Sequence, residues 1–433
     1  MGTNKLSMKD WISLGIVLAL TIFLWAVPTS FFGIEGLTPV MQRTIAIFVF
    51  TALMWIIEVV PTWTTSVMSM VIMLLTISNK GVGFMMYDGA GTYVDYKSIM
   101  AAFADPVIML FLGGFVLAIA ASKVGLDLTL ARVMLKPFGK NPKMVLLGFL
   151  FIIGIFSMFM SNTATAAMML TFLAPVLATL PQDEKGKIGL ALAIPIAANL
   201  GGMLTPFGNP QNLYLYTRFE IPTMEFMGIM LLPFVVAVVL ITIFCLIFVK
   251  PEPLEVADEQ VKLPVGRTVL YLALFALAIA IVFRGIPYGI GLVVIPAVLM
   301  IADRKAMKMV DYPLLLTFVF FFVFAGNMAR IQFVREIFSG LLEKSTLLFS
   351  ILSCQFISNV PSAILLSQFT ENYRDLLLGV NIGGVGTLIS SLASLITFRE
   401  YTAHNPGKSG YYIKNFSLFN LAFLIILVLF VIW

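Results

Sequence analysis

The chain has 433 residues, of which 60% are hydrophobic and only 11% are charged. Soluble domains carry about 25% charged residues, so this composition excludes a soluble protein and predicts an all-α polytopic protein in a lipid bilayer. The net charge of +5 lies in loops without long basic runs, so no nucleic-acid partner is expected. The two cysteines lie in apolar segments, and the chain has one histidine. Neither a disulfide framework nor a metal centre is therefore indicated.

The apolar segments predict about 11 transmembrane helices, because a helix needs about 20 residues to cross a bilayer. The first segment ends at Trp25-Ala26-Val27-Pro28, which is not an Ala-x-Ala cleavage site, so this helix is expected to be retained. The predicted spans are residues 11–28, 44–60, 61–77, 98–122, 187–216, 224–249, 267–283, 286–303, 313–330, 379–398 and 416–433.

Two further apolar segments carry a polar Ser-Asn pair near their middles. Ser161-Asn162-Thr163 interrupts residues 143–180, and Ser358-Asn359 interrupts residues 346–378. Because each half of a segment is at most about one span long, we predict two re-entrant hairpins with these motifs at their tips. A pair of complete helices joined by a tight turn is the alternative.

The same order of motifs occurs in both halves of the chain. Each Ser-Asn motif is followed by a glycine signature, Asn199 to Thr205 in the first half and Asn381 to Thr387 in the second. Polar amides at membrane depth are expensive and are usually retained for function, although a single amide often only joins two helices. The duplication predicts an inverted repeat that holds a substrate between paired broken helices.

A mixed-charge loop near the middle of the chain marks the boundary between the two repeats. With a cytoplasmic amino terminus and hairpins that return to their starting side, most lysines and arginines face the cytoplasm. We therefore expect a multi-pass protein of the cell membrane, that is the inner or plasma membrane, with its amino terminus inside. The predicted parts are an N-terminal helix (1–38), a first repeat (39–249), a cytoplasmic linker (250–266), a second repeat (267–398) and a C-terminal loop and helix (399–433).

Four segments resemble one known family. They are Glu58 to Ser66 (Glu-x-x-Pro-x-x-x-Thr), Ala104 to Phe115 (Asp-Pro followed by Phe-Leu-Gly-Gly), Ser161-Asn162-Thr163, and Asn381 to Thr387. Over about residues 40–400 the chain is similar to the divalent anion:sodium symporters, the DASS family of the ion transporter superfamily. The resemblance implies a secondary active transporter of a di- or tricarboxylate or a similar oxyanion. It also implies coupling to Na⁺, alternating access and a homodimer.

The second tip departs from this family. It reads Ser358-Asn359-Val360-Pro361, where the family has Ser-Asn-Thr, and is more like the tips of arsenite permeases and sodium/proton antiporters. These two functions and anion exchange therefore remain alternatives. A channel needs no duplicated broken helices. An intramembrane enzyme would need a nucleophile and a base, which the isolated Glu58 and Asp105 do not provide, so no enzymatic activity is expected.

The tips and the glycine signatures define the candidate site. One asparagine offers an amide donor to a carboxylate and a carbonyl acceptor to a sodium ion. Helix starts present N–H groups to an anion, and unwound carbonyls can ligate a hard cation. The expected substrate-binding residues are Asn162, Thr163, Asn359, Val360, Pro361, Ser362, Gly208, Asn209 and Thr387. The expected sodium ligands are Ser157, Ser161, Asn162, Gly201, Gly202, Ser358, Asn359, Gly383 and Gly384.

The second predicted cation site lacks two hydroxyls of the first, one at Cys354 and one at Val360. Ser157 precedes Ser161 by one helical turn, whereas Cys354 occupies the same place before Ser358. Sulfur is a poor ligand for sodium, so the second cation site is expected to be the weaker one.

Overall fold

The computed structural model describes residues 8–57, 59–80, 94–108, 110–111, 148, 196–248, 264–308 and 310–432. Within these ranges the chain forms α-helices and short 3-10 helices, with no β-strand. The predicted all-α polytopic class is therefore confirmed. Apart from residue 148, the first predicted hairpin at 143–180 lies outside the described residues.

Fifteen α-helices have defined bounds in the described ranges. They are α1 (Met8–Ala26), α2 (Pro39–Ile57), α3 (Thr62–Thr76), α4 (Tyr96–Ala101), α5 (Pro210–Arg218), α6 (Thr223–Phe248), α7 (Val265–Val282), α8 (Tyr288–Ala302), α9 (Arg304–Lys308), α10 (Tyr312–Met328), α11 (Gln332–Ile357), α12 (Asn359–Leu366), α13 (Tyr373–Ile382), α14 (Leu392–His404) and α15 (Ser409–Ile432).

Several of these helices suit a bilayer. In the described part of the chain, α6, α7 and α15 are long and apolar enough to cross it, and α1, α2, α3, α8 and α10 are shorter apolar helices. α11 is as long and apolar, but Ser345 interrupts it. On α15, Leu418, Leu421, Ile425 and Leu429 recur at helical spacing and are each more than half exposed. Such an apolar stripe is unfavourable in water and favourable against lipid.

The chain forms two compact units. The first comprises the described residues of Met1–Ile108, Asp311–Lys344 and Ile364–Thr370. In this unit the Phe48 and Phe324 rings stack at 4.0 Å, and Trp55 meets Phe321 at 4.6 Å, so α2 and α10 run antiparallel. A buried bond of 2.6 Å between the hydroxyls of Thr51 and Ser69 joins α2 to α3.

The second unit comprises the described residues of Met109–Val310, Ser345–Ala363 and Glu371–Trp433. It contains two discontinuous helices. Residues 196–201 are helical, Gly202–Leu204 form a 3-10 turn, and α5 begins after a further turn. Similarly, α13 ends at Ile382, and α14 begins after a 3-10 turn at Leu388–Ser390. The backbone breaks predicted at the two Gly-Gly pairs are therefore present.

The second predicted hairpin is shorter than residues 346–378. Its first arm begins after Ser345, which interrupts α11 with extended backbone, and its second arm, α12, has 8 residues. This arm spans about 12 Å, less than half of the roughly 30 Å hydrocarbon core, so it is too short to cross the membrane. The apolar run continues into α13, of which the sequence assigned residues 373–378 to the hairpin and residues 379–382 to the next span. The boundary is Asn372, whose side chain caps α13 by accepting from Asp375 N at 3.2 Å.

Candidate functional site

The tip of the second hairpin is a one-residue reversal between two helices. Ser358 has φ 71°, a left-handed conformation that costs a residue with a side chain about 1–2 kcal/mol. The Ser353 and Ser362 hydroxyls lie 2.9 Å apart across the arms, which a continuous helix could not achieve over nine residues. Ser358 Oγ also donates to Ser390 O at 3.3 Å, which attaches the tip to the loop between α13 and α14.

Asn359 is the first residue of α12 and is 4% exposed. Its Oδ1 accepts from Val360 N at 3.0 Å and lies 3.4 Å from Ser358 Oγ, whose one proton is shared with Ser390 O. Its Nδ2 makes no hydrogen bond to a described residue and lies 2.9 Å from where a Cβ on Gly384 would be. The amide therefore offers a donor, rather than an acceptor, to a ligand at the tip.

Glycines on the second broken helix fit it closely against the first arm of the hairpin. A Cβ on Gly379 would lie 2.6 Å from Ser350 Cβ, and one on Gly383 would lie 2.9 Å from Cys354 Cβ. Gly386 has φ 144°, and a side chain there would overlap Gln355. Because backbone approach is this close, the hairpin arm and the broken helix pack as a single layer.

Gln355 connects the first arm to the loop between α13 and α14. Its Nε2 donates to Ile351 O at 3.0 Å and to Gly383 O at 2.9 Å. Its Oε1 accepts from Thr387 N at 2.9 Å, and Thr387 Oγ1 donates to Gln355 O at 3.0 Å. One side chain thus fixes both the broken end of α13 and Thr387.

Buried amides join the two broken helices in a reciprocal pattern. Ser391 Oγ donates to Asn199 Oδ1 at 2.7 Å, and Asn209 Nδ2 donates to Asn381 Oδ1 at 3.3 Å. Asn209 and Ser391 are the N-cap residues of α5 and α14, and each follows its own signature asparagine, Asn199 or Asn381, by the same number of positions. Each N-cap side chain therefore binds the signature asparagine of the other broken helix.

Asn212 closes the first break. Its Nδ2 donates to Gly202 O at 3.1 Å and to Met203 O and Thr205 O at 3.2 Å each. Its Oδ1 accepts from Asn381 Nδ2 at 2.6 Å. The carbonyls left unpaired at the end of a helix are thus satisfied by a neutral amide.

Arg284 holds the carboxyl end of α5. Its guanidinium donates to Tyr216 O at 2.8 Å and to Glu220 O at 3.1 Å, and lies 4.2 Å from the Tyr216 ring. A cation at this end of a helix is favoured by the helix dipole. Glu225, which follows Glu220 closely in the sequence, accepts from Tyr373 Oη at 2.6 Å. This bond brings the start of α13 to the start of α6.

Some of the predicted site residues come together and others do not. Ser358, Asn359, Gly383, Gly384 and Thr387 gather around the second tip. By contrast, the Ser362 hydroxyl bonds within the hairpin, and Asn209 lies in the amide network between the broken helices. The residues that lie outside the described part of the chain are Ser157, Ser161, Asn162 and Thr163.

The remaining predicted positions have backbone roles in the structure. Gly202 O accepts from Asn212, and Gly208 N donates to Thr205 O at 3.3 Å. Gly201 ends the helical residues before the first break, while Val360 and Pro361 lie in the first turn of α12.

Sequence reasoning missed the side chains that organise the site. The most central are Asn381, Asn199 and Gln355. Each is an amide inside an apolar segment, the signal that identified Asn162 and Asn359, but none of the three is among the predicted binding residues. Their partners lie as far as 192 positions away along the chain, so the sequence could not reveal what they bind.

The sequence profile of the citrate transporter family matches residues 52–372. An uncharacterised transporter of Methanocaldococcus jannaschii is 37% identical over 204 residues, 47% of this chain and 56% of that protein. A sodium-dependent high-affinity dicarboxylate transporter of Caenorhabditis elegans is 29% identical over 216 residues, 46% of this chain and 34% of that protein. A sodium-dependent dicarboxylate transporter of Staphylococcus saprophyticus is 28% identical over 186 residues, 41% of this chain and 33% of that protein.

The alignments span about half of the first of these proteins and about a third of the other two. All of these relatives are transporters rather than enzymes, in agreement with the resemblance to the divalent anion:sodium symporters. The family profile extends over most of the chain, through the second tip and Asn372. The chain is a membrane transporter that belongs to the citrate transporter family.

Proposed function

We propose that the protein is a sodium-coupled secondary transporter of a di- or tricarboxylate, working by alternating access. The observation that carries this proposal is the Asn359 amide, which is held at the hairpin tip beside Gly384 with its Nδ2 unbonded to described residues. An amide N–H at a helix start suits a carboxylate oxygen. The dicarboxylate named for two relatives supports this substrate class.

The tip and the broken helix form a prearranged site in this proposal. Gly379, Gly383 and Gly384 allow the backbone of α13 to contact the first arm, so the tip cannot open without separating that layer. Prearrangement lowers the entropy lost when a ligand binds. The substrate is therefore carried between the two sides of the membrane with this layer intact.

Coupling to sodium is supported by the names of the two dicarboxylate relatives. The ion would neutralise part of the substrate charge, because the described residues of the tip and the amide network are neutral amides, hydroxyls and backbone groups. The proposed ligands in the first half are Ser157, Ser161, Asn162, Gly201 and Gly202. The second half fits a cation less well, since Asn359 Oδ1 already accepts from Val360 N and Cys354 stands where the first half has Ser157.

We also propose that the protein lies in the inner or plasma membrane of the cell. Its amino terminus would face the cytoplasm. Contacts within the second unit agree with the predicted grouping of its loops on two opposite sides of the membrane, and the direction rests on the basic-loop bias. Glu225 with Tyr373, and Glu220 with Arg284, join segments that the topology assigns to the outer face. Tyr271 and Asp303, which bond at 2.9 Å, are both assigned to the inner half. The inverted repeat and a homodimer are further parts of the proposal, and the reciprocal amide pattern supports the former.

Uptake into proteoliposomes tests the proposed function. Labelled citrate, succinate, phosphate and arsenite would be offered with an inward sodium gradient and with the same gradient of potassium. We expect carboxylate uptake that depends on sodium and little uptake of arsenite. Sodium-independent carboxylate uptake would reject the coupling, and arsenite uptake alone would reject the substrate class.

Anion exchange is a second candidate, favoured by the backbone hydrogen bond that Asn359 Oδ1 already accepts. If fewer sodium ions accompany each dianion, its charge is less fully neutralised. Movement of a second anion in the opposite direction would then balance that charge within one transport cycle. Preloading the vesicles with unlabelled dicarboxylate separates the two modes. An exchanger requires the internal anion, whereas a symporter takes up substrate into empty vesicles.

A further inference from the structure

The oxygens expected to ligate a second sodium ion are already bonded to protein donors. Gly384 O accepts from Ser390 Oγ at 2.9 Å and from Asn199 Nδ2 at 3.3 Å. The Ser390 hydroxyl has one proton and also reaches Thr387 O at 2.7 Å, so Gly384 O has one amide donor and a share of a hydroxyl. Asn359 Oδ1 accepts from Val360 N, and the Ser358 hydroxyl near it is shared with Ser390 O.

Gln355 has a special position among these donors. Its Nε2 lies within hydrogen-bond distance of two carbonyl oxygens, Gly383 O at 2.9 Å and Ile351 O at 3.0 Å. Two carbonyls that converge on one positive centre resemble the backbone part of a cation site. Here the centre is the –NH₂ group of a neutral amide.

We infer that Gln355 replaces a second coupling cation, so that this half of the site binds the substrate carboxylate through Asn359 and holds no sodium. The inference rests on the proposed function and concerns the coupling ratio of the same site. Gln355 is a positioning residue because it acts through Gly383 and Thr387. Its amide fixes the broken end of α13 without adding the charge that a bound ion would bring.

With one cation site fewer, each dianion travels with one sodium fewer, and less positive charge crosses the membrane per substrate. The substrate carboxylate then depends more on the single donor of Asn359 and on the start of α12.

Gln355→Glu tests the inference because it replaces the side-chain amide by a carboxylate of nearly the same shape. The carboxylate removes both donors to Gly383 O and Ile351 O and places a charged oxygen between them, which converts the position into a cation site. The partly buried Gln355 side chain gives water and ions a route to it. The control is Gln332→Ala, because Gln332 is exposed and bonds only to Glu336, at 2.8 Å, on the same helix.

The measurement is equilibrium binding of radiolabelled sodium to the purified full-length protein. We expect about one ion per chain in the wild type and in Gln332→Ala, and about one more in Gln355→Glu. Two ions in the wild type would overturn the inference, whether or not the variant folds. An unchanged count in a folded Gln355→Glu variant would overturn it as well.

The same assay separates this inference from the proposed function. If the wild type bound no sodium while Gln355→Glu gained one ion, sodium coupling would be rejected and the role of Gln355 would stand. If the wild type bound two ions and transported dicarboxylate, the function would stand and the role of Gln355 would be rejected.

Discussion

Asn381 Nδ2 donates to Asn212 Oδ1 at 2.6 Å, so the signature asparagine of one broken helix binds directly to the other. Both side chains are at most 2% exposed. Asn381 also accepts from Asn209 and Gln211 and donates to Leu377 O, so its side chain makes four hydrogen bonds, as many as that of Asn212. This amide therefore supplies several of the bonds that hold the two breaks together.

Replacing Asn381 should destabilise the protein. Asn381→Ala leaves the donors of Asn209 and Gln211 and the acceptor of Asn212 without this partner, at about 1–3 kcal/mol for each group that stays unsatisfied. We expect a clear fall in the thermal unfolding midpoint of the detergent-solubilised protein. Asn415→Ala is the matched control, because Asn415 bonds only to Tyr411 O on its own helix. Equal midpoints for the two variants would show that the network contributes little.

Gly384→Ala should impair transport without removing the protein from the membrane. The added methyl group would lie 2.9 Å from Asn359 Nδ2 and must push the amide out of position. A misplacement of about 1 Å at a site can lower a rate by about 100-fold. We expect carboxylate uptake to fall by at least about 10-fold. Gly410→Ala, where no atom lies within 4 Å of the new methyl group, should transport normally.

Removing the tip amides should abolish transport. Asn359→Ala eliminates the donor proposed for the substrate, and Asn162→Ala removes its predicted counterpart in the first half. The measurement is initial uptake of labelled dicarboxylate at matched protein density, with size-exclusion profiles to establish folding. Near-normal uptake by folded Asn359→Ala would contradict the proposed site.

Arg284→Ala should loosen the carboxyl end of α5. The variant loses two hydrogen bonds to carbonyls and the contact with the Tyr216 ring, and charge-assisted bonds contribute about 1.5–3 kcal/mol each. We expect a lower unfolding midpoint, partly restored in Arg284→Lys, since lysine keeps the charge but lacks the planar fork. Arg330→Ala at an exposed position is the control. If the two alanine variants unfold alike, Arg284 does not hold α5.

The sequence predicted the backbone conformation where a polar or small residue interrupted an apolar segment. Ser358-Asn359 inside an apolar run predicted the reversal, and Gly383-Gly384 predicted the break, because polar and small residues at membrane depth need a local reason. The end of the hairpin was misplaced, because the apolar residues after Tyr373 continue the pattern of the second arm. Asn372 caps the start of α13, and a capping residue does not stand out in a pattern of hydropathy alone.

The partners of the amides could not be predicted, since they are set by how distant helices pack. Asn199 meets Ser391 and Gly384, and nothing near Asn199 in the sequence specifies those contacts. Gln355 was overlooked for a related reason. It bonds to Gly383 in the structure but lies 28 positions away along the chain, so in the sequence it looks like an isolated polar residue.

The most direct test of the central claim is the sodium dependence of dicarboxylate uptake by the wild type and by Asn359→Ala in the same proteoliposomes. We predict uptake against a concentration gradient when sodium is higher outside, loss of that accumulation when an ionophore collapses the sodium gradient, and no accumulation by Asn359→Ala. Accumulation by the wild type that persists after the sodium gradient is collapsed, or that Asn359→Ala matches, would contradict the account.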